Sequence, residues 1–205
     1  WGMAGGAPSR INAITQSTDG FLWIGGVEGL VRFDGVTFEP VAAAKVLRHR
    51  LVVSALFAAP DGPVWAGLAR GRGVAVWRAG RLVDAAMPNP SREVNDIAGD
   101  RDGGVWVARG GREHDTLARY AGGRWREFGA EDGVPPGPLW QVFPTRDGAV
   151  WLVLTDRLAM RPPGAARFQP VSLETTGRAN LAEDAAGGLW LSDMRGIRRI
   201  AGPGG

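Results

Sequence analysis

The chain has 205 residues, of which 44% are hydrophobic and 22% are charged, a balance typical of a globular protein rather than a disordered one. Its net charge is only +3 and its arginines are scattered, whereas a nucleic-acid-binding surface needs basic residues concentrated in a patch. Cysteine is absent, which excludes disulfides and thiolate metal sites. No stretch reaches the roughly 18 apolar residues of a membrane span. We therefore expect no nucleic-acid partner and no membrane contact within this chain.

A tryptophan-centred motif recurs along the sequence. Its five copies are centred on Trp23, Trp65, Trp106, Trp151 and Trp190, at spacings of 39 to 45 residues. Four copies carry Asp-Gly at the same offset before the tryptophan, and the fifth keeps only the glycine, as Ala186-Gly187. Repetition at a fixed period of this length indicates a repeat architecture. The 32 glycines and 14 prolines predict many turns between short strands.

In chain order, the first copy reads as four short strands. A small and apolar strand begins at Ile11, and Asp19-Gly20 predicts a two-residue hairpin turn because glycine accepts a positive φ at no steric cost. The second strand is Leu22-Trp23-Ile24, Gly29-Leu30 opens the third, and the fourth ends at Phe38. The later copies repeat this order, with second strands at Val64-Trp65-Ala66, Val105-Trp106-Val107, Val150-Trp151-Leu152 and Leu189-Trp190-Leu191.

Four antiparallel strands in each copy predict an all-β fold, a β-propeller of four-stranded antiparallel blades with five repeats in this chain. Helical solenoids have similar periods, but these segments are short and interrupted by glycine, and their apolar residues do not follow a 3.6-residue spacing. A β-sandwich is the alternative, although it does not require the same tryptophan in five successive hairpins. We expect one propeller domain over residues 1–205.

The fifth copy lacks a fourth strand, because only Ala-Gly-Pro-Gly-Gly follows Ile200. The N-terminal stretch from Trp1 to Pro8 runs into Ile11 much as the stretch from Phe128 to Pro135 runs into Leu139. The sequence therefore predicts that the N-terminal segment supplies the missing strand. The repeats leave two alternatives open, a closed ring of five blades or a piece of a larger propeller.

The stretch from Ile11 to Phe38 resembles the two-component regulator propeller repeat. It contains Asp-Gly-x-Leu-Trp-apolar-Gly followed by Gly-Leu-x-Arg-Phe-Asp. All five copies fit in part, and copies two to five depart at the Gly-Leu-x-Arg-Phe step. The resemblance implies a periplasmic or other extracytoplasmic sensor domain of a bacterial receptor that signals through a histidine kinase or a diguanylate cyclase. Members of this family more often have seven blades.

The sequence contains no assembled catalytic group. The two histidines are His49 and His114, and Glu113 and Asp115 beside His114 form the best group for a base and a metal. A lyase or hydrolase of the streptogramin-lyase type is therefore the first alternative to a sensor function. A protein-docking scaffold is the second alternative. The run Asp100-x-Asp102-Gly103 offers too few oxygen ligands for calcium. We expect no enzymatic activity, no metal and no cofactor.

Residues that break the repeat are the candidates for a ligand site, because repeated residues serve the fold. In a propeller, the connection from strand four to the next strand one shares a face with the turn between strands two and three. Non-repeating residues predicted there are Arg10, Arg50, Arg70, Arg72, Arg92, Arg109, Arg112, Trp140 and Arg178. The equivalents of Trp140 are Asn12, Ser54, Asn95 and Ala179.

From this set we predict a site for an anionic or sugar-like small molecule, with a protein as the alternative partner. The residues assigned to it are Trp140, Arg10, Arg50, Arg92, Arg109 and Arg178. A large aromatic side chain near the propeller axis, with several arginines around it, suits such a ligand by stacking and by charge-assisted hydrogen bonds.

Overall fold

A computed structural model describes residues 6–41, 51–90, 93–110 and 117–200. These residues form 19 β-strands and one turn of 3-10 helix, Ala130–Asp132. In this part of the chain, no helix has the length and apolar character needed to cross a membrane.

The strands follow one another in chain order through five sheets. Sheet 1 consists of β1 (Ile11–Gln16), β2 (Leu22–Gly26), β3 (Gly29–Phe33) and β4 (Phe38–Pro40). Sheet 2 consists of β5 (Val53–Ala58), β6 (Val64–Leu68), β7 (Val74–Arg78) and β8 (Arg81–Asp84). Sheet 3 consists of β9 (Val94–Gly99), β10 (Val105–Arg109), β11 (Leu117–Ala121) and β12 (Arg124–Phe128).

Sheets 4 and 5 continue the same pattern. Sheet 4 consists of β13 (Leu139–Pro144), β14 (Val150–Leu154), β15 (Leu158–Arg161) and β16 (Gln169–Val171). Sheet 5 consists of β17 (Asn180–Glu183), β18 (Leu189–Asp193) and β19 (Gly196–Ile200). Each strand pairs with the next one along the chain in its sheet. The predicted β-propeller fold with antiparallel blades is confirmed.

The five repeated tryptophans occupy one structural position, the second residue of the second strand of each sheet. This equivalence was predicted from their spacing and is confirmed. Sheet 5 has three strands within the described residues. The beginning of the segment predicted to supply a fourth strand, residues 1–5, lies outside them.

The chain divides into two compact units, Trp1–Ile97 and Ala98–Gly205. In the first unit, Trp23 of sheet 1 packs in one cluster with Val53 and Ala66 of sheet 2. Its ring centroid lies 5.5 Å from that of Trp77, which is also in sheet 2. An apolar side chain of one sheet is thus removed from water by the face of the sheet that follows it.

The second unit repeats this packing twice. Trp106 of sheet 3 lies in one cluster with Leu139 and Leu152 of sheet 4. Trp151 of sheet 4 lies in another with Leu181 and Leu191 of sheet 5. Burying such aromatic side chains removes about 150–250 Å² each from water, so these contacts stabilise the packing of sheet 3 on sheet 4 and of sheet 4 on sheet 5.

The turn before each tryptophan strand also repeats. Its fourth residue is a glycine with φ between +77° and +113°, and the glycine N–H donates to the carbonyl three residues earlier at 2.9 to 3.1 Å. The positive φ predicted from Asp-Gly is confirmed. The connection is longer than a two-residue hairpin, because the first turn residue also donates its N–H to the carbonyl four residues later, as Ser17 does to Phe21 at 3.0 Å.

Candidate ligand-binding site

The first strands of three sheets carry a β-bulge at the same place. Strand pairing skips Asn12 in β1, Ser54 in β5 and Trp140 in β13. The matching register confirms that Trp140 is equivalent to Asn12 and Ser54, as the sequence predicted. A β-bulge changes the direction in which the side chain of its extra residue points. The residue at this position therefore determines which chemical group projects away from the paired strands.

Two of these bulge residues join successive first strands. Asn12 Nδ2 donates to the Val53 carbonyl at 2.8 Å, and Ser54 Oγ donates to the Val94 carbonyl at 2.6 Å. Both bonds lie within the first unit. A polar side chain at the bulge therefore joins one blade to the next by a hydrogen bond.

In sheet 4 the residue after the bulge, Gln141, makes the hydrogen bonds to the next blade instead. Gln141 Nε2 donates to the Leu181 carbonyl at 3.2 Å, and the Leu181 N–H donates to Gln141 Oε1 at 2.7 Å. The amide of Gln141 thus supplies both a donor and an acceptor. Trp140 is consequently not needed for a hydrogen bond between blades of the kind that Asn12 and Ser54 make.

The indole of Trp140 is instead half-exposed and contacts two polar residues. Its Nε1 donates to Thr155 Oγ1 at 3.0 Å, and Thr155 lies in the turn between β14 and β15. The guanidinium carbon of Arg178 lies 5.2 Å from the centroid of the indole ring, within the range of a cation–π interaction. We call Trp140, Thr155 and Arg178 the Trp140 platform.

The segment that carries Arg178 is held by the turn of sheet 5. The Thr176 N–H donates to Asp193 Oδ2 at 3.1 Å, and the Met194 N–H donates to the Thr176 carbonyl at 3.1 Å. Arg198 grips both oxygens of Asp193, at 2.8 and 3.0 Å. Hydrogen bonds from Arg198 hold the pKa of Asp193 well below its usual range. The carboxylate therefore stays charged and fixes the base of the platform.

The platform contains two of the six residues assigned from the sequence. Thr155 was not among them, although its hydroxyl lies in a turn between the second and third strands of a sheet. The sequence analysis had predicted the ligand site at turns of this type. Arg10 is exposed just before β1, in the other unit. Arg50 and Arg92 lie outside the described residues. The assignment of these three arginines to a ligand site stays a prediction.

Arg109 has a different environment from the platform residues. It lies at the end of β10 and is only 1% exposed. Its Nη2 donates to Glu127 Oε1 at 2.7 Å, so the guanidinium forms an ion pair across sheet 3. A role for Arg109 in contacting a ligand also stays a prediction.

The acidic turn of sheet 3 is engaged with protein donors. The Asp100 carboxylate accepts hydrogen bonds from the N–H groups of Asp102 and Gly104, from Trp106 Nε1 and from Arg119 Nε, all at 2.7 to 3.0 Å. This agrees with a turn-forming role for Asp100. Among the described residues, no group of three or more His, Cys, Asp or Glu could hold a metal ion. His49 and His114 lie outside that part of the chain.

A cleft of about 410 Å³ opens between the turns that precede Trp151 and Trp190. Its polar groups largely bind one another. The Arg146 N–H donates to Glu183 Oε2 at 3.1 Å, and Arg146 Nη1 donates to the Ala185 carbonyl at 3.1 Å. These hydrogen bonds occupy polar groups that a ligand in the cleft would otherwise bind.

No protein-family model matches the chain, and a search of the curated proteins finds no significant match. Among solved structures, the chain is similar to the extracellular domain of a hybrid two-component system from B. thetaiotaomicron, with 19% identity and a TM-score of 0.70. The match covers 89% of this chain but only 26% of that one, so the chain spans about a quarter of its length.

Two enzymes show comparable likeness. The match to virginiamycin B lyase from Staphylococcus aureus has 16% identity and a TM-score of 0.70, and covers 95% of this chain and 71% of the lyase. The match to a gluconolactonase from Xanthomonas campestris has 16% identity and a TM-score of 0.64, and covers 90% and 69% of the two chains. At these identities the likeness shows the β-propeller fold alone, and the fold supports many functions.

Proposed function

We propose that this chain is a ligand-binding sensor module of a bacterial two-component signalling receptor, with no turnover of its own. We take residues 1–205 as one extracytoplasmic propeller domain of the two-component regulator propeller family. The motif from Ile11 to Phe38 supports this family, and the likeness to the extracellular domain of a hybrid two-component system supports the sensor role.

The Trp140 platform is the observation that carries the proposal. An indole is present at the position where the bulges of sheets 1 and 2 have a polar residue that hydrogen-bonds to the next blade. In sheet 4, Gln141 makes these hydrogen bonds instead. This exchange leaves an aromatic face, a hydroxyl and a cation side by side and accessible. An aromatic face stacks on a sugar ring, while Arg178 forms charge-assisted hydrogen bonds with a carboxylate or another anion. We infer a sugar-like or anionic small molecule as the ligand.

A thermal-shift screen with oligosaccharides, organic acids and antibiotics tests this role. A ligand that binds only the folded state stabilises it by mass action, by about 2.7 kcal/mol at a hundred times its dissociation constant. Trp140→Asn restores the residue of sheet 1, so we expect it to keep the fold and to abolish the shift. Arg178→Gln should weaken binding, whereas Arg81→Gln, an exposed arginine in the first unit, should leave it unchanged.

The outcome for Trp140→Asn decides the position of the site. If this variant still shows the full shift with the same ligand, the Trp140 platform does not bind it. A screen in which no small molecule shifts the melting temperature would instead favour a protein-docking scaffold.

The likeness to virginiamycin B lyase makes a propeller lyase the competing function. The two functions differ in what happens to the bound molecule. A sensor returns the ligand unchanged after prolonged incubation, whereas a lyase converts it, which mass spectrometry of the ligand detects. Conversion that is lost in His114→Ala would replace the sensor proposal with the enzymatic one.

A further inference from the structure

Four arginines line a groove of about 200 Å³ in the second unit. They are Arg119, Arg124 and Arg126 of sheet 3 and Arg161 at the end of β15, beside Ala121, Trp125 and Phe128. We call this the Arg161 groove. It shares no residue with the Trp140 platform.

Arg161 breaks the repeat at a position that is otherwise uncharged. In β15 it pairs with Val150, the residue before the repeated tryptophan. The corresponding residues of the other four sheets are Phe33, Trp77, Tyr120 and Ile200. An aromatic or aliphatic side chain therefore satisfies the fold at this position, and the fold does not require a cation there.

A second departure from the repeat lies opposite. Arg119 pairs directly with Arg126 across β11 and β12. In sheet 1 the equivalent pair is Arg32 with Glu39, whose side chains form an ion pair at 2.7 Å. Like charges directly opposite each other destabilise a sheet, whereas opposite charges stabilise it. Sheet 3 thus accepts an unfavourable pair where sheet 1 has a favourable one.

Carboxylates neutralise only part of this positive charge. Arg119 pairs with Asp100 at 2.7 Å, and Arg126 pairs with Asp132 at 2.6 Å. Arg124 and Arg161 have no ion pair or hydrogen bond to a side chain among the described residues. Four guanidinium groups and two carboxylates leave the groove with two uncompensated positive charges.

Arg161 is also held in a fixed place. Its guanidinium carbon lies 4.9 Å from the ring centroid of Trp106, 5.5 Å from that of Phe168 and 5.9 Å from that of Phe128. Burial and the nearby Arg119 guanidinium lower the pKa of Arg161, which means that the surroundings disfavour its charged form. The aromatic rings orient the cation, but they do not supply the counter-charge that it lacks.

We propose that the Arg161 groove binds an oxyanion, a phosphate, sulfate or carboxylate group of a small molecule. Arg161 and Arg124 bind the oxygens directly, and Arg119 and Arg126 flank them. An anion in this place compensates the two free charges and relieves the repulsion between Arg119 and Arg126. Planar guanidinium groups suit the task because they bind oxyanions through two parallel hydrogen bonds.

Isothermal titration calorimetry with sodium phosphate, sodium sulfate and sodium citrate tests the proposal, with ionic strength held constant by sodium chloride. We expect at least one of these ions to bind, and the one that binds most tightly identifies the type of oxyanion. Arg161→Gln should weaken its binding about tenfold or more, because a hydrogen bond to a charged group is lost. Arg32→Gln is the matched control, since Arg32 lies 4.2 Å from the Phe21 ring and already has a carboxylate partner. The affinity of the Arg32→Gln variant for the same ion should equal that of the wild type.

Arg126→Glu separates binding from folding. This variant recreates the Arg32–Glu39 arrangement of sheet 1 but removes the ion pair of Arg126 with Asp132, so we expect a moderately lower melting temperature, a folded protein by circular dichroism and a loss of anion binding. If none of the three ions binds the wild-type protein, the proposal is wrong. It is equally wrong if an ion binds the wild type, Arg161→Gln and Arg126→Glu with the same affinity.

Discussion

Replacing Trp106 with alanine should lower the free energy of unfolding by about 3–5 kcal/mol, the cost typical of truncating a large buried aromatic side chain. Trp106 is 0% exposed, and its ring centroid lies 4.9 Å from that of Phe128 and 6.4 Å from that of Phe168. Truncation also leaves Asp100 without the indole N–H that donates to it at 2.7 Å. Denaturant unfolding monitored by circular dichroism measures the loss.

Trp190→Ala is the internal control for this prediction. Trp190 occupies the same position in its own strand and makes the same type of hydrogen bond, from Nε1 to Asp184 Oδ2 at 2.8 Å. It is nevertheless 38% exposed, so its burial removes less of the indole from water. We expect its truncation to cost less than half as much as that of Trp106. An equal cost would mean that another part of the protein or a second molecule covers Trp190 in solution.

The repeat made the fold predictable from the sequence. Each tryptophan follows a glycine-containing turn and lies in a short apolar segment, and these are local signals that the later packing reinforces. The exposure of Trp190 was not predictable in the same way. Its local sequence, Leu189-Trp190-Leu191, is like that of Trp151, but Trp151 is buried against Leu181 and Leu191 of the next sheet, a tertiary contact that the local sequence does not encode.

The Trp140 platform was predictable in part. Trp140 and Arg178 break the repeat, and their prediction as site residues rested on that departure. Their contact depends on the bulge in β13 and on the anchoring of Thr176 to Asp193, neither of which a composition pattern encodes. Thr155 is a common turn residue, so nothing in the sequence distinguished its hydroxyl from many others.

Arg161 escaped prediction because the repeats differ in length between their second and third strands. Phe33 and Arg161 each follow their repeated tryptophan by ten residues, whereas Tyr120 follows Trp106 by fourteen. Counting along the chain therefore aligns Arg161 with Phe33 but not with Tyr120. The strand register aligns all three positions, and it shows that a cation has replaced an uncharged side chain.

Removing the Asp100 carboxylate should have the second-largest effect on stability. Asp100→Ala leaves Trp106 Nε1, Arg119 Nε and the Gly104 N–H without their acceptor. We expect a loss of about 2–4 kcal/mol, since hydrogen bonds to a charged group and a partly buried ion pair are lost together. Asp102→Ala in the same turn is the control. Its side chain is 74% exposed, and an exposed carboxylate contributes about 0–1 kcal/mol.

The pH dependence of this difference provides an independent check. Burial raises the pKa of Asp100, but the hydrogen bonds from Arg119, Gly104 and Trp106 outweigh it and hold the pKa below its ordinary value of 3.8. A carboxyl group with a lowered pKa stabilises the fold fully above its unfolded-state pKa and loses that contribution as the pH falls through its folded-state pKa. The stability gap between the wild type and Asp100→Ala should therefore be constant near neutral pH and shrink below about pH 4. A gap that stays the same down to pH 2 would show that the charge of Asp100 is not what stabilises the turn.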